Sequence, residues 1–199
     1  MKSITEYITE KLIIKKIKYN YFPKTKEELK DLIKKRIKQE GNEVDLNDID
    51  VSNITDMSEL FQLSDFNGDI SAWDVSNVIN MNSMFWQCQS FNQDISNWDV
   101  SNVTNMYGMF VDCKSFNQDI SNWDVSNVTN MSWMFYGCQS FNQDISDWDV
   151  SNVRNMSYMF FRCKSFNQDI SKWDVSNVKN NSFIFSYCLI EEKYKPKFR

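Results

Sequence analysis

The sequence predicts an α/β repeat fold, a parallel solenoid with a helical cap at its N-terminal end. Three observations support this prediction. A cysteine returns every 25 residues and brings its neighbouring residues with it. Each block contains apolar residues at both strand and helix spacing. Residues 1–48 differ from the blocks, since they contain 12 Lys or Arg, 9 Asp or Glu, and no Trp or Cys.

The blocks form one tandem array. Five copies begin at a tryptophan, and a degenerate first copy begins at Ile49, so we predict six repeats of about 25 residues over 49–188. The last copy is also degenerate, because Asn181 and Ile184 replace its two methionines. Degenerate ends are typical of stacked repeats, whose outer units meet solvent on one side. The five tryptophans are Trp73, Trp98, Trp123, Trp148 and Trp173.

Residues 1–48 predict a helical cap. Thr25 and Glu28 form a capping-box pattern, apolar residues follow at helical spacing, and Gly41 supplies a stop, so we expect a helix over about Lys26 to Glu40. The stretch from Ile4 to Ile17 predicts a second amphipathic helix.

The far end of the array is followed by a short basic segment. Residues 189–199 carry a surplus of lysine and arginine, and we expect them to cover the last repeat. The whole chain is then one elongated domain with a cap at each end.

Each repeat mixes two periodicities. Trp148 and Val150 alternate with Asp149, which predicts a short strand. The following apolar residues step by three or four, which predicts a helical or 3₁₀ turn; they are Val153, Met156, Met159, Phe160 and Cys163. Strands stacked more closely than helical turns would bend the array, with the strands on the concave side.

The motif resembles a known repeat family. Ile-x-x-Trp-x-Val, followed by Val-x-x-Met-x-x-Met-Phe-x-x-Cys-x-x-Phe, is similar to the BspA-type leucine-rich repeat of bacterial surface proteins and lipoproteins, and the match covers roughly residues 45–190. The resemblance implies a leucine-rich-repeat-like arc in which Ile145, Trp148 and Val150 take the leucine positions of the strand. It also implies a surface protein involved in adhesion or host contact.

Composition excludes several classes of function. The array carries 16 acidic and 6 basic residues, which argues against nucleic-acid binding. No apolar run is long enough to span a membrane. The start of the chain shows no export signal, and five unpaired cysteines favour a reducing compartment, so we expect a cytoplasmic protein. The resemblance implies the cell surface instead.

The chain offers little for catalysis. It contains no histidine, which removes the commonest general base, and we expect neither enzymatic activity nor a cofactor. We interpret the cysteine column as buried thiols, with metal binding or disulfides as the alternative. We interpret the methionine pairs and the tryptophan column as core, with soft-metal binding and an exposed aromatic platform as their alternatives.

The predicted binding site is the acidic concave strand face. One aspartate follows each tryptophan, the position before the tryptophan varies from copy to copy, and a second aspartate column begins at Asp69. Like charges this close need compensation, from Asx turns made with Ser and Asn, from a basic partner, or from calcium. The candidate residues are Asp74, Asn97, Asp99, Asn122, Asp124, Asp147, Asp149, Lys172 and Asp174.

These features predict a non-enzymatic protein-interaction module with a protein partner, and a basic partner would complement the aspartate columns. A bacterial surface adhesin and a structural or cation-binding array are the alternatives. The sequence does not predict an oligomeric state.

Overall fold

The computed structural model describes residues 18–198. Within this range the regular elements are one α-helix, α1 (Lys26–Glu40), and one short 3₁₀ helix (Glu192–Tyr194). The helix predicted over Lys26 to Glu40 is therefore confirmed. The second predicted helix, from Ile4 to Ile17, lies outside the described residues.

Local chemistry sets the bounds of α1. The Thr25 side chain accepts a hydrogen bond from the Glu28 backbone N–H at 3.2 Å, which satisfies one of the free donors of the first turn. Gly41 ends the helix at φ 92°, where its N–H donates to the Ile37 carbonyl at 2.9 Å. Leu29 and Ile33 are fully buried. The helix thus covers the first end of the repeat core.

The predicted α/β leucine-rich-repeat-like parallel solenoid is wrong. The described residues contain no extended strand, and the repeats consist of turns and coil. Successive copies still lie on one another, because isolated parallel bridges join the same position of each copy to the next. These bridges connect, in order, Asp56, Asn80, Asn105, Asn130, Asn155 and Asn180.

Side-chain hydrogen bonds explain the missing strand. In the repeated tripeptide Trp-Asp-Val, the aspartate side chain accepts a hydrogen bond from the backbone N–H two residues later. Asp99, for example, accepts a bond from the Ser101 backbone N–H at 3.1 Å, and the Val103 N–H then donates to the Val100 carbonyl at 2.9 Å. Two consecutive turns therefore replace the strand. Trp98 and Val100 are both buried although no pleated sheet holds them.

The missing repeat helix has a different cause. In residues 80–88, alternate backbone N–H groups donate to the next copy and not to the carbonyl four residues back. Met81 donates to Asn105 at 3.0 Å, and Ser83 donates to Tyr107 at 2.8 Å. An α-helix would need those same donors within one copy. We call residues 80–88 and the equivalent residues 56–63, 105–113, 130–138, 155–163 and 180–188 the ladder segments.

Each ladder segment turns through two left-handed residues. Their φ angles lie between 54° and 69°, a region that side chains other than glycine seldom adopt. Glycine occupies this conformation in the ladder segments only at positions 108 and 137. The left-handed residues are Glu59, Leu63, Ser83, Gln87, Gly108, Asp112, Trp133, Gly137, Tyr158, Arg162, Phe183 and Tyr187.

Like side chains stack along the core. Trp98 and Trp123 lie parallel with ring centroids 6.4 Å apart, and Phe85 and Phe110 lie 5.5 Å apart. The Trp123 indole N–H donates to the Ile95 carbonyl at 3.1 Å, which satisfies its only polar atom inside the core. The tryptophan column and the four methionine pairs are buried. Their predicted place in the core is confirmed, and the tryptophan column is not an exposed platform.

The cysteine column lies beside the ladder segments. Cys88, Cys113, Cys138 and Cys163 are fully buried, and Cys188 is partly exposed. The Cys138 thiol donates to the Phe110 carbonyl at 2.9 Å. Burial raises the pKa of the Cys88 thiol to about 12, because the thiolate would lose its hydration. The predicted burial of the thiols is therefore confirmed for these four residues.

We expect at most one of the five cysteines to react quickly with a thiol reagent in the native state at pH 8. Cys188 is the reactive residue, since the other four are fully buried with a raised pKa. Counting thiols colorimetrically, with and without denaturant, tests this. The Cys188→Ser variant is the control and should lose the fast phase. Rapid native modification of more than one thiol would contradict the stacked core.

Candidate functional site

The predicted acidic site is exposed, but its expected geometry is absent. Because residues 18–198 contain no extended strand, no concave strand face brings these residues together. Each column still runs along the stack, because the copies lie in register. All nine candidates are exposed: Asp74, Asn97, Asp99, Asn122, Asp124, Asp147, Asp149, Lys172 and Asp174.

The aspartate columns have a structural role. Asp74 accepts bonds from both the N–H and the hydroxyl of Ser76, at 3.1 and 2.6 Å. The same turn recurs in each later copy, for example between Asp124 and the Ser126 N–H at 3.0 Å. Of the three sources of compensation that the sequence left open, the Asx turn is confirmed. These hydrogen bonds lower the pKa of the Asp124 carboxyl, because they stabilise its charged form.

The second aspartate column is built in the same way. Asp94 accepts a bond from the Ser96 N–H at 2.9 Å, and Asp119 accepts one from the Ser121 N–H at 2.9 Å. Within residues 18–198, no three Asp, Glu or Cys side chains meet in an arrangement that could hold a metal ion. The arrangement of the acidic residues therefore gives no support to a calcium site.

Repeated amide side chains tie each copy to the one before it. The Asn127 Nδ2 donates to the Ser101 carbonyl at 2.8 Å. The Asn117 backbone N–H donates to the Asn92 Oδ1 at 2.9 Å, and the same contact recurs at 25-residue intervals. These polar residues thus recur for a structural reason, since they satisfy backbone groups between turns. Positions that vary between copies are the better place to look for recognition.

Several of the varying positions form an aromatic surface that flanks the buried Met-Phe pairs of the ladder segments. We call it the aromatic stripe. Its rings follow one another from copy to copy: Trp133 and Tyr158 lie 4.7 Å apart, and Tyr158 and Phe183 lie 5.1 Å apart. The stripe consists of Trp86, Tyr107, Trp133, Tyr136, Tyr158, Phe161, Phe183 and Tyr187.

Gly108 makes the stripe continuous. Its φ is 57°, and a Cβ atom placed there would lie 2.9 Å from the Trp86 ring. The absence of a side chain lets Trp86 extend across this copy to stack on Trp133, with the ring centroids 6.5 Å apart. Glycine is therefore needed at this position for the close approach of the Trp86 ring, since the equivalent residues Ser83 and Trp133 adopt the same backbone conformation with side chains.

The stripe is most exposed at its C-terminal end. Phe183 is 59% exposed and Tyr187 is 75% exposed. Together with Tyr158, Phe161 and Ser186 they line an open cavity of about 560 Å³. The Arg162 guanidinium lies over the Phe161 and Tyr187 rings, at 5.3 and 6.0 Å from their centroids. A cation over a ring face is an attractive contact and holds these rings in place.

Our sequence interpretation missed the stripe because it followed the repeated residues. A signal was present: Trp86 and Trp133 are the two tryptophans outside the 25-residue register of the other five. Aromatic residues also occupy varying positions of several copies, while the flanking Met, Phe and Cys stay the same in the four copies over residues 81–163.

Comparison with known proteins establishes the family. The chain belongs to the family described as "Mycoplasma protein of unknown function, DUF285", whose model matches residues 28–137 and 112–193. The match shows a repeat-containing family and does not name the BspA type. No curated protein and no solved structure matches the chain. Among residues 18–198, no helix is long and apolar enough to cross a membrane.

The Asx turns predict that stability falls in acid. The folded-state pKa values of Asp99 and Asp124 are lowered, so the unfolded chain binds more protons near pH 4 and the free energy of unfolding rises with pH there. This contribution is complete above the ordinary carboxyl pKa of about 3.9 and is lost as the pH falls through the folded-state values.

Replacing both residues with asparagine tests this expectation. Asparagine keeps the accepting oxygen but does not titrate, so the double variant should fold normally at pH 7 and lose less stability in acid. Urea unfolding followed by tryptophan fluorescence at several pH values provides the measurement. Asp147→Asn is the control, because Asp147 is exposed and accepts no turn bond. An unchanged pH profile for the double variant would contradict the Asx-turn account.

Proposed function

We propose that the chain is a non-enzymatic protein-interaction module and that the aromatic stripe is its main contact surface. The observation that carries the proposal is a run of stacked, partly exposed aromatic side chains at positions that vary within an otherwise regular array. A regular scaffold with aromatic residues at varying surface positions suits recognition, since the scaffold keeps its shape while the surface changes.

Stacking prepares the stripe for binding. Tyr136 and Phe161 lie nearly parallel, with an interplanar angle of 9° and a centroid distance of 4.9 Å. Rings held in this way lose little rotational freedom when a partner arrives. Tyrosine and tryptophan also contribute large apolar areas with a polar edge, which is why they dominate the binding energy of many protein interfaces.

The aspartate columns supply a second contact of the same module. Asp74, Asp99, Asp124 and Asp149 are exposed and make no ion pair with a lysine or arginine of residues 18–198. The array as a whole has 16 acidic and 6 basic residues. Such a surface attracts a partner with a basic face and accelerates its association at low salt.

The non-enzymatic role rests on the composition of the chain. The sequence contains no histidine, and its polar residues recur at fixed intervals instead of converging as unlike groups at one place. A cytoplasmic location is part of the proposal, supported by the five unpaired cysteines. A surface adhesin, implied by the resemblance to BspA-type repeats, is the alternative.

Affinity capture with matched variants tests the contact surfaces. Immobilised protein should retain a partner that the Trp133→Ser, Tyr158→Ser variant loses by about tenfold or more, since such losses are typical of aromatic hot spots. The Asp99→Asn, Asp124→Asn, Asp149→Asn variant should bind more weakly at low salt only. Retained proteins are quantified by mass spectrometry. Equal recovery by wild type and both variants, or no specific recovery by wild type, would reject the proposal.

Cell fractionation separates the two locations. We expect the protein in the cytosolic fraction, and intact cells treated with protease should leave it uncut. A cytosolic marker serves as the control for lysis. Recovery in the surface fraction, with cleavage in intact cells, would replace the cytoplasmic module with the adhesin.

A further inference from the structure

The backbone hydrogen bonds between ladder segments all run in one direction. The N–H groups of Met156, Tyr158, Phe160 and Arg162 donate to carbonyls of the last copy, at 2.8 to 3.0 Å. The same four positions donate in every earlier pair of copies. Each ladder segment therefore presents donors towards the C-terminal end of the stack and acceptors towards the N-terminal end.

The last ladder segment consequently ends in a row of donors. Its equivalent N–H groups belong to Asn181, Phe183, Phe185 and Tyr187, and no residue within 18–198 accepts a hydrogen bond from them. We call this row the C-terminal edge. Backbone donors left without a protein acceptor favour pairing with another polypeptide segment.

The C-terminal segment covers the core but not this edge. Tyr194 accepts a bond from the Ile170 N–H at 3.0 Å, and the Glu191 N–H donates to the Asn167 Oδ1 at 2.9 Å. Both contacts lie on the part of the repeat that precedes the tryptophan. Ile190 and Pro196 are buried there. The edge beside Phe183 and Tyr187 stays open.

The opposite end of the stack indicates which chemistry fits. There the first ladder segment presents its carbonyls beside α1, whose Lys26 lies 3.4 Å from Asp56 and whose Lys30 lies 3.9 Å from Glu59. Residues 50–65 carry four acidic and no basic side chains. At this end of the stack, an acidic ladder segment is therefore already paired with lysine side chains.

The C-terminal edge has a matching basic character. Lys179 directly precedes the last ladder segment, and the Lys195 ammonium, which pairs with Glu192 at 2.6 Å, lies 5.7 Å from the centroid of the Phe185 ring. Arg162 donates its backbone N–H to Ser186 at 3.0 Å, which places it next to the same edge. Backbone donors and these cations all favour an occupant with carbonyl acceptors and carboxylates.

We propose that the C-terminal edge binds an acidic polypeptide segment of a partner protein, which pairs its backbone carbonyls with the four open N–H groups and adds one further rung to the ladder. The mode is edge pairing, in which main-chain bonds hold the segment and side chains select it. This goes beyond the proposed function, because the contact uses backbone amides and basic residues and not the aromatic rings.

A synthetic peptide copying residues 50–65 is the probe, since it is acidic and natively forms a ladder segment. In the protein alone, the amides of Asn181, Phe183, Phe185 and Tyr187 should exchange with deuterium faster than their bonded equivalents in the preceding copy. Addition of the peptide should slow these four by about tenfold, as expected for amides that gain hydrogen bonds. NMR resolves each amide, and Ile184 and Ser186, already bonded within turns, are internal controls.

Three comparisons make the experiment decisive. A scrambled peptide of the same composition should leave the four exchange rates unchanged. A peptide with Asn and Gln in place of Asp and Glu should bind the protein several-fold more weakly. The Lys179→Glu protein should likewise bind the acidic peptide several-fold more weakly. The control is the Lys164→Glu protein, which changes an exposed lysine outside the edge and should bind the acidic peptide as the wild type does.

Other results would overturn the proposal. The first is that the four amides are already protected from exchange without peptide. The second is that the peptide slows exchange of amides elsewhere and not of these four. The third is that the neutral or the scrambled peptide binds as tightly as the acidic peptide. Sedimentation of the protein alone identifies one further outcome: self-association that the peptide reverses would show that a second copy, and not a partner, occupies the edge.

Discussion

The structure depends on one type of contact, the backbone hydrogen bond from alternate residues of one copy to the next copy. Four such bonds join each pair of ladder segments. They require left-handed backbone at two positions per copy, which costs of order 1 kcal/mol or more for residues other than glycine. Stacked side chains offset that cost: the same register that aligns the amides also places Phe on Phe, Trp on Trp and each thiol under a carbonyl of the preceding copy.

Sequence reasoning predicted the period, the copies, α1 and the buried columns, because spacing reports which residues share an interior. It did not predict the backbone conformation. The two-residue spacing of Trp98 and Val100 is compatible with a strand and with consecutive turns. The three-residue spacing of Met81 and Met84 is likewise compatible with a helix and with a ladder segment. The deciding features were the Asx bonds and the left-handed residues. Neither has a glycine signature here, since residues such as Trp133 and Tyr158 adopt positive φ.

The same distinction applies to the candidate site. Asp99 and Asn127 recur because each one satisfies a backbone group, so their repetition carries no information about a ligand. The aromatic stripe has the opposite character. Its members differ between copies, and Gly108 contributes by leaving room for the Trp86 ring. In a tandem array, exposed side chains that depart from the repeat therefore deserve more weight than those that follow it.

Uniform interfaces also have a genetic consequence. The strings from Phe91 to Met106 and from Phe116 to Met131 are identical in sequence, so loss or duplication of one 25-residue unit by recombination joins surfaces that already match. Copy number can then drift without a new core having to evolve. Each such event lengthens or shortens the exposed aromatic tract by one step, so the chain changes its reach and ring pattern while its architecture is preserved.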